Sequence, residues 1–401
     1  MKRRFSWASG VLAAGAVAAL VAVSNQVPVN SVLQSAASAH HSGTGNAGDA
    51  GHSSGASDAG SKGSTGSAGS TAGAVGGRGA MAGMVMAAAP AFNPNLDPGE
   101  SITVSPAQTG IAPHPGFQPA PDTYHHEFQA NCSTNHDQPD DPIVFPGLAG
   151  ASHMHSFMGS TTTNARTTTG SLFAGATSCV TPQDKSAYWF PTLYNGTSVI
   201  HPSGPQVIYY KSAVYDYTTV QPFPRGLRFV VGSPTATLDE FRTAPGAVEG
   251  WECGDISKSW DFPANCVAGS QLNVRMQSPG CWDGVHLDSA DHKSHMAYPV
   301  GNPNDYGHLI CPSTHPVAVP MIEFKMAFPV SGDMSQVHLA SGRGYSWHYD
   351  FFNAWEPTVL GALTRHCING GLQCTPRGFD VYKPQRGGVL DENYNLLPNI
   401  S

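Results

Sequence analysis

The chain has 401 residues, a formal charge of −8 and a charged fraction of only 12%. No basic run follows Arg4 that would track a phosphate backbone, so nucleic acid is excluded as a natural partner. With 45 glycines and 32 prolines and few lysines or glutamates, the composition argues against long surface helices and for turns and strands.

Lys2, Arg3 and Arg4 precede an apolar run from Val11 to Val23 that is too short for a membrane span. It reads as an export signal over residues 1–39, since Ala37-Ser38-Ala39 satisfies the small-x-small cleavage rule better than a cut after Ser24. No membrane span is expected once it is removed. Residues 40–90 are Gly, Ser, Ala and Thr with almost nothing to bury, so they cannot offset the entropy of ordering and read as a disordered linker. Residues 91–401 suffice for one large domain with its own core.

Within that domain, Ser152-His153-Met154-His155-Ser156-Phe157 follows a turn-rich stretch, Asp141 to Gly147. If it is extended, His153 and His155 point to the same side, a common metal-ligand geometry. Gln206 to Tyr217, Gly226 to Gly232 and Gln271 to Gln277 are rich in β-branched, aromatic or alternating apolar residues and read as strands. Met321 to Phe328 alternates, with Ile322, Phe324, Met326 and Phe328 on one face and Glu323 and Lys325 on the other, which predicts a half-buried strand. Helices are few and short: Thr237 to Glu240 has a capping-box form, and Pro357 to Cys367 puts Leu360, Leu363 and Cys367 on one face. The fold class is therefore mainly β, a β-sandwich or jelly-roll-like core with long disulfide-stapled loops.

All eight cysteines lie from Cys132 onward, and an even count in an exported protein favours disulfides. Short loops suggest Cys253–Cys266, Cys281–Cys311 and Cys367–Cys374. No CxxC pair is present, which argues against a zinc ribbon.

The stretch from Cys281 to Cys311 is the most polar part of the domain, with His286, His292, His295 and His308 interleaved with Asp283, Asp288, Asp291 and Asp305. His292 and His295, three apart, would share one turn of a helix, with Asp291 placed to orient either ring. Asp283 precedes Gly284 at a tight turn and either caps that turn or does chemistry. His315 is held between prolines, and His348 and Asp350 share a face if Trp347 to Phe351 is extended, as ligands or as a base and its orienter. Trp282, Trp347 and Trp355 lie beside these motifs, where aromatic rings could stack on sugars or fill the core.

The ordered set DPIVFPG, SHMHSFMG, YWFPTLY, GLRFVVG, WEC, CWDGVHLDSADHKSHMAYP, CPSTHPVAVP and WHYDFFNAWEP resembles the secreted DUF1996 family, a domain of unknown function, over about Asp122 to Cys367. The resemblance implies export, one domain and joint use of the His/Asp motifs, and no assigned activity.

Three functional classes follow. The first is a secreted or envelope-associated enzyme acting on polysaccharide or another envelope polymer. Its metal version has His153, His155, His292, His295 and His315 as candidate ligands for a divalent ion, zinc or copper. Its metal-free version has His348, Asp350, Asp283 and Asp288 as candidate acids and bases. The second is a non-catalytic module binding a glycan or cell surface through Trp282, Trp347 and Trp355. The third is a structural envelope protein whose histidines knit loops.

Overall fold

The computed structural model describes residues 95–113, 125–254, 258–301 and 309–398. The export signal and linker read from the sequence, together with Asp305 and His308, lie outside the described residues.

Two sheets carry the fold. In chain order their strands are β1 (Glu127–Cys132), β2 (Thr134–Gln138), β3 (His155–Gly159), β4 (Ala187–Pro191), β5 (Gln206–Lys211), β6 (Arg228–Gly232), β7 (Gly250–Cys253), β8 (Lys258–Ser259), β9 (Leu272–Gln277), β10 (Met321–Phe328), β11 (His348–Phe352) and β12 (Gln373–Cys374). The larger sheet runs β8-β7-β9-β10-β5-β1-β12 and the smaller β2-β3-β4-β11-β6. Every pairing is antiparallel except β1 with β12.

Side-chain alternation explains the register of the larger sheet. Leu272, Val274 and Met276 of β9 stand opposite Phe328, Met326 and Phe324 of β10, and Phe324 and Ile322 stand opposite Ile208 and Tyr210 of β5. All of these side chains are buried and turn to one face. The smaller sheet meets that face through aromatic contacts. The Phe324 and Tyr349 rings lie 4.0 Å apart, Tyr188 and Phe324 5.8 Å, and Trp251 and Trp347 5.5 Å. The sheets thus share one core, with the rest of the described residues in small hairpins, turns and short helices, including Leu238–Thr243 behind the Thr237 capping box and Pro357–Leu363.

The outer face of β10 departs from the half-exposed expectation. Glu323 is buried, its carboxylate held by Lys211 at 3.2 Å and by the Gln277 side-chain amide at 2.6 Å. A ladder of paired charges covers a face that would otherwise meet water, because a buried carboxylate is tolerated only when paired.

Four disulfides staple the loops: Cys253–Cys266, Cys281–Cys311 and Cys367–Cys374, as loop length suggests, and Cys132–Cys179, which tethers β1 to the loop before β4. No helix among the described residues is long and apolar enough to cross a membrane.

A buried chain of hydrogen bonds crosses between the sheets. The Trp355 indole N–H donates to the Tyr210 hydroxyl at 3.0 Å, the Tyr210 and Tyr188 hydroxyls meet at 2.6 Å, and Tyr188 donates to Asp184 Oδ2 at 2.7 Å. Burial raises the Asp184 carboxyl to about 7, against the lowering effect of hydrogen bonds from Tyr188 and Ser186. An unfolded aspartate titrates near about 4. Between those two values the native state holds a proton that the unfolded state has released, so this group makes stability fall as pH rises, by at most about 1.4 kcal/mol per pH unit. Asp184→Asn should flatten that fall between about pH 4 and pH 7, read as urea midpoints across the range. An unchanged slope would place the proton on another group.

Candidate functional site

Strands β3, β4, β6 and β11 of the smaller sheet are buried on both faces, and the outer face carries the polar cluster. Along β11 the residues alternate: Tyr349 and Phe351 enter the shared core, while His348 and Asp350 turn outward. On β3 Met158 enters the core and His155 and Phe157 turn outward. The segment before β3 supplies His153, Asp140 and Asp141, and residues 287–295 run along the edge of β6, where the Leu287 and His292 carbonyls accept from the Arg228 and Val230 amides. His348 stands opposite Gly232 of β6, where φ is 82° and a Cβ would come within 2.7 Å of the Trp347 carbonyl oxygen. Only glycine lets these two strands approach so closely.

The geometry of the imidazoles is specific. His155 Nδ1 lies 2.9 Å from the Asp140 carbonyl oxygen, and His348 Nδ1 lies 2.9 Å from that of Ser346. A carbonyl can only accept, so each Nδ1 carries the proton and, in a neutral ring, each Nε2 is a bare lone pair. Those two Nε2 atoms face each other at 3.4 Å. The His153 ring closes the group, with centroids 4.2 Å from His155 and 5.0 Å from His348, and its Nε2 is buried without a hydrogen-bond partner. One ligand atom from each of the three lies within 4.8 Å of the others. Two imidazole ligands on a tetrahedral ion with bonds of 2.0–2.1 Å would have their nitrogens about 3.3 Å apart.

Electrostatics keep these rings neutral. Burial lowers His153 to about 4, burial and then the neighbouring His153 lower His348 to about 3, and His155 is held well below its ordinary value by burial and by both neighbours. Burial thus disfavours the charged form that a proton between the facing lone pairs would create. Beside them, one carboxylate oxygen each from Asp141 and Asp350 lies within 4.8 Å of a ligand atom of His155. Burial raises Asp141 to about 6, and burial followed by repulsion from Asp141 holds Asp350 well above the usual carboxylate range. Asp141 is fixed by amides of Ile143 and Val144 donating to its Oδ1, whereas both oxygens of Asp350 lack a hydrogen-bond partner.

Other residues singled out in the sequence lie elsewhere or are otherwise engaged. His292 and His295 are not on a helical turn. Asp291 Oδ1 takes the amides of Lys293 and Ser294, and His292 adopts φ 57°, so side-chain hydrogen bonds replace the helix. The His292 ring turns to Asp288, with Nδ1 2.9 Å from Oδ1. His295 spends both ring nitrogens, on the Ser289 hydroxyl at 2.8 Å and the Arg228 carbonyl at 2.9 Å. His315 does the same with Thr314 and the Ser294 carbonyl. Neither retains a free lone pair for a metal. Asp283 caps its own turn through the amides of Val285 and His286.

Trp282, Trp347 and Trp355 are at most 1% exposed. They offer no face on which a sugar could stack, because each is a core ring. Trp282 is anchored to the His286 carbonyl, Trp347 is packed on Phe190 and Trp251, and Trp355 is bonded to Tyr210. His348 is oriented by the Ser346 carbonyl and not by Asp350.

Asp140 and Asp141 are not marked by local spacing as site residues, although a pair of acids opens the turn-rich stretch that leads to the His-x-His motif. Nor is Lys293, whose ammonium donates to the Gly232 carbonyl at 2.5 Å and whose charge acts on Asp350.

The family described as "Domain of unknown function (DUF1996)" matches residues 141–355. The chain belongs to the DUF1996 family. The resemblance carried by the ordered motifs is thereby confirmed, and the matched segment of the DUF1996 domain encloses His153, His155, His348, Asp141 and Asp350. No curated protein and no solved structure matches the chain.

The double anchoring of His295 predicts a structural effect. His295→Ala removes a buried ring and two hydrogen bonds, and should cost about 2–4 kcal/mol of stability, by the same amount with and without added zinc in chemical denaturation. A loss that appears only with zinc would return His295 to the ligand set.

Proposed function

We propose that this DUF1996 protein is an extracytoplasmic metalloenzyme in which His153, His155 and His348 hold one divalent transition-metal ion, zinc or copper. The observation that carries the reading is the pair of bare Nε2 atoms facing each other at 3.4 Å, with both Nδ1 protons committed to carbonyls. Two lone pairs so placed repel unless a cation lies between them, and burial keeps that cation from being a proton. Backbone carbonyls behind metal-bound imidazoles are the usual means of fixing ring orientation. Three nitrogen ligands suit zinc or copper better than calcium and leave a fourth position for water, whose acidity such an ion raises.

Hydrolysis of a polysaccharide or related envelope polymer is the reaction class in this reading. An export signal, a long Gly/Ser/Ala linker and four disulfides support action outside the cytoplasm. A trough of about 770 Å³ lined by Gln138, Asp140, Asn164, Arg166, Thr167 and Ser171 shares with the site only Asp140, whose carbonyl holds His155. Its amides and hydroxyls suit a ligand rich in hydroxyl groups. Of the carboxylates considered for acid or base work, Asp350 stands beside the imidazoles, while Asp283 and Asp288 serve a turn and His292. The alternative of a glycan-binding module through tryptophan platforms loses its support with the burial of those rings.

The test is metal content. Chelator-stripped protein titrated with zinc and with copper should take up one ion at the imidazoles, by calorimetry and elemental analysis. His155→Ala and His348→Ala should each weaken uptake by at least about a hundredfold, more than the loss of a supporting hydrogen bond would. The loaded protein, and not the stripped one, should release reducing ends from envelope polysaccharide. Failure of zinc and copper to bind, or binding indifferent to both substitutions, would overturn the reading.

A further inference from the structure

Asp350 is 1% exposed and neither of its carboxylate oxygens has a hydrogen-bond partner, although a buried carboxylate normally collects several donors. Its closest acidic neighbour is also buried. A carboxylate oxygen of Asp141 lies within 4.8 Å of one from Asp350, and Asp141 is held in that position by the amides of Ile143 and Val144. Lys293, whose charge acts on Asp350, has given its ammonium to the Gly232 carbonyl, and His292, which acts on Asp141, has turned its Nδ1 to Asp288. Two carboxylates are therefore packed together in the interior without a matching set of donors, and one of them is pinned so that it cannot turn away.

His155 belongs to both groups of candidate ligands, but its Nε2 faces His348 and its Nδ1 donates to Asp140. Its one free lone pair is thus spent on the imidazole side. What remains on the other side is an all-oxygen donor set.

We infer that Asp141 and Asp350 hold a second divalent cation, a hard ion of the magnesium or manganese class, next to the imidazole centre. Such ions take carboxylate oxygens and complete their shell with water, so two protein ligands suffice. The nitrogen-rich and oxygen-rich halves then sort two different metals by donor chemistry, and paired ions of this kind grip both the attacking and the leaving oxygen in hydrolytic sites. The inference rests on the proposed imidazole centre for the assignment of His155, and the experiment separates the two.

The probe is manganese. Stripped full-length protein, loaded first with zinc, is titrated with manganese and followed by its electron paramagnetic resonance spectrum and by elemental analysis. We expect one zinc and one manganese per chain, a manganese spectrum broadened relative to the aqua ion, and Asp350→Asn and Asp141→Asn each weakening manganese at least about tenfold while zinc stays bound. His348→Ala should lose zinc and retain manganese. If zinc binds and manganese gives only the aqua-ion spectrum, or binds equally well to Asp350→Asn, the second site is overturned and the imidazole centre stands. If manganese binds through Asp141 and Asp350 while zinc binds nowhere, the second site stands and the imidazole centre falls. A wild-type spectrum identical to that of the aqua ion overturns the second site even if a variant fails to fold.

Discussion

Four strands of the smaller sheet are covered on both faces, and most of what is distinctive in the structure follows from that. A strand sends alternate side chains to opposite sides, so β3, β4, β6 and β11 need two sets of partners instead of one core and one wet surface. On the inner side Met158, Tyr188, Phe229, Tyr349 and Phe351 meet the larger sheet. On the outer side Phe157, Trp189, Val230 and Phe352 form a second, smaller apolar cluster. His155, His348, Asp350 and Arg228 are interleaved with them on the same strands and are buried equally. Polar groups in that position have no water to fall back on. The loops over this face therefore carry the acceptors that the rings require, and the backbone carbonyls of Asp140 and Ser346 are the clearest examples.

The seam between the sheets is held differently. The hydrogen-bonded run from Trp355 through Tyr210 and Tyr188 to Asp184 joins a strand of each sheet inside an otherwise aromatic interior. It ends next to the Cys132–Cys179 bridge, whose first sulfur lies 3.9 Å from Asp184 Oδ2. Such a network specifies one relative placement of the sheets, since sliding either would leave buried hydroxyls unpaired. Its rigidity passes to β11 through Phe351, which packs on both Tyr188 and Tyr210 and lies one residue from Asp350.

Much of this architecture was legible because the period of two survives in the sequence. Met321–Phe328 is marked by its alternation, and the His-x-Asp spacing puts His348 and Asp350 on one side of β11, whereas His153 precedes β3 and its ring still comes 4.2 Å from that of His155. The same pattern does not say whether the opposite side is wet, which is why Glu323 read as exposed and is buried among paired charges. A spacing of three between His292 and His295 suggested a helix, but Ser289 and Asp291, both just before them, capture the local amides and no helix forms. Tryptophans beside polar motifs look like platforms in a sequence. Whether a ring faces solvent is decided by the second layer of packing, which no local pattern encodes. Asp141 was hidden for a related reason: its neighbourhood with Asp350 joins positions more than two hundred residues apart, and a turn-forming Asp before proline explains itself without that contact.

For the proposed imidazole-bound ion, the tethering of His155 and His348 through Nδ1 would have a consequence for selectivity. A ring held at its far nitrogen cannot swing or retreat without breaking that bond, so the gap between the near nitrogens is set by the protein and not by whatever enters it. The site is in effect a fixed gauge. An ion whose bonds are too long for the gap must pull a ring off its carbonyl anchor, and one whose bonds are too short must leave a ligand behind. Discrimination by radius would then come from the stiffness of residues 139–154 and of the turn before β11, far more than from the chemical identity of the imidazoles themselves.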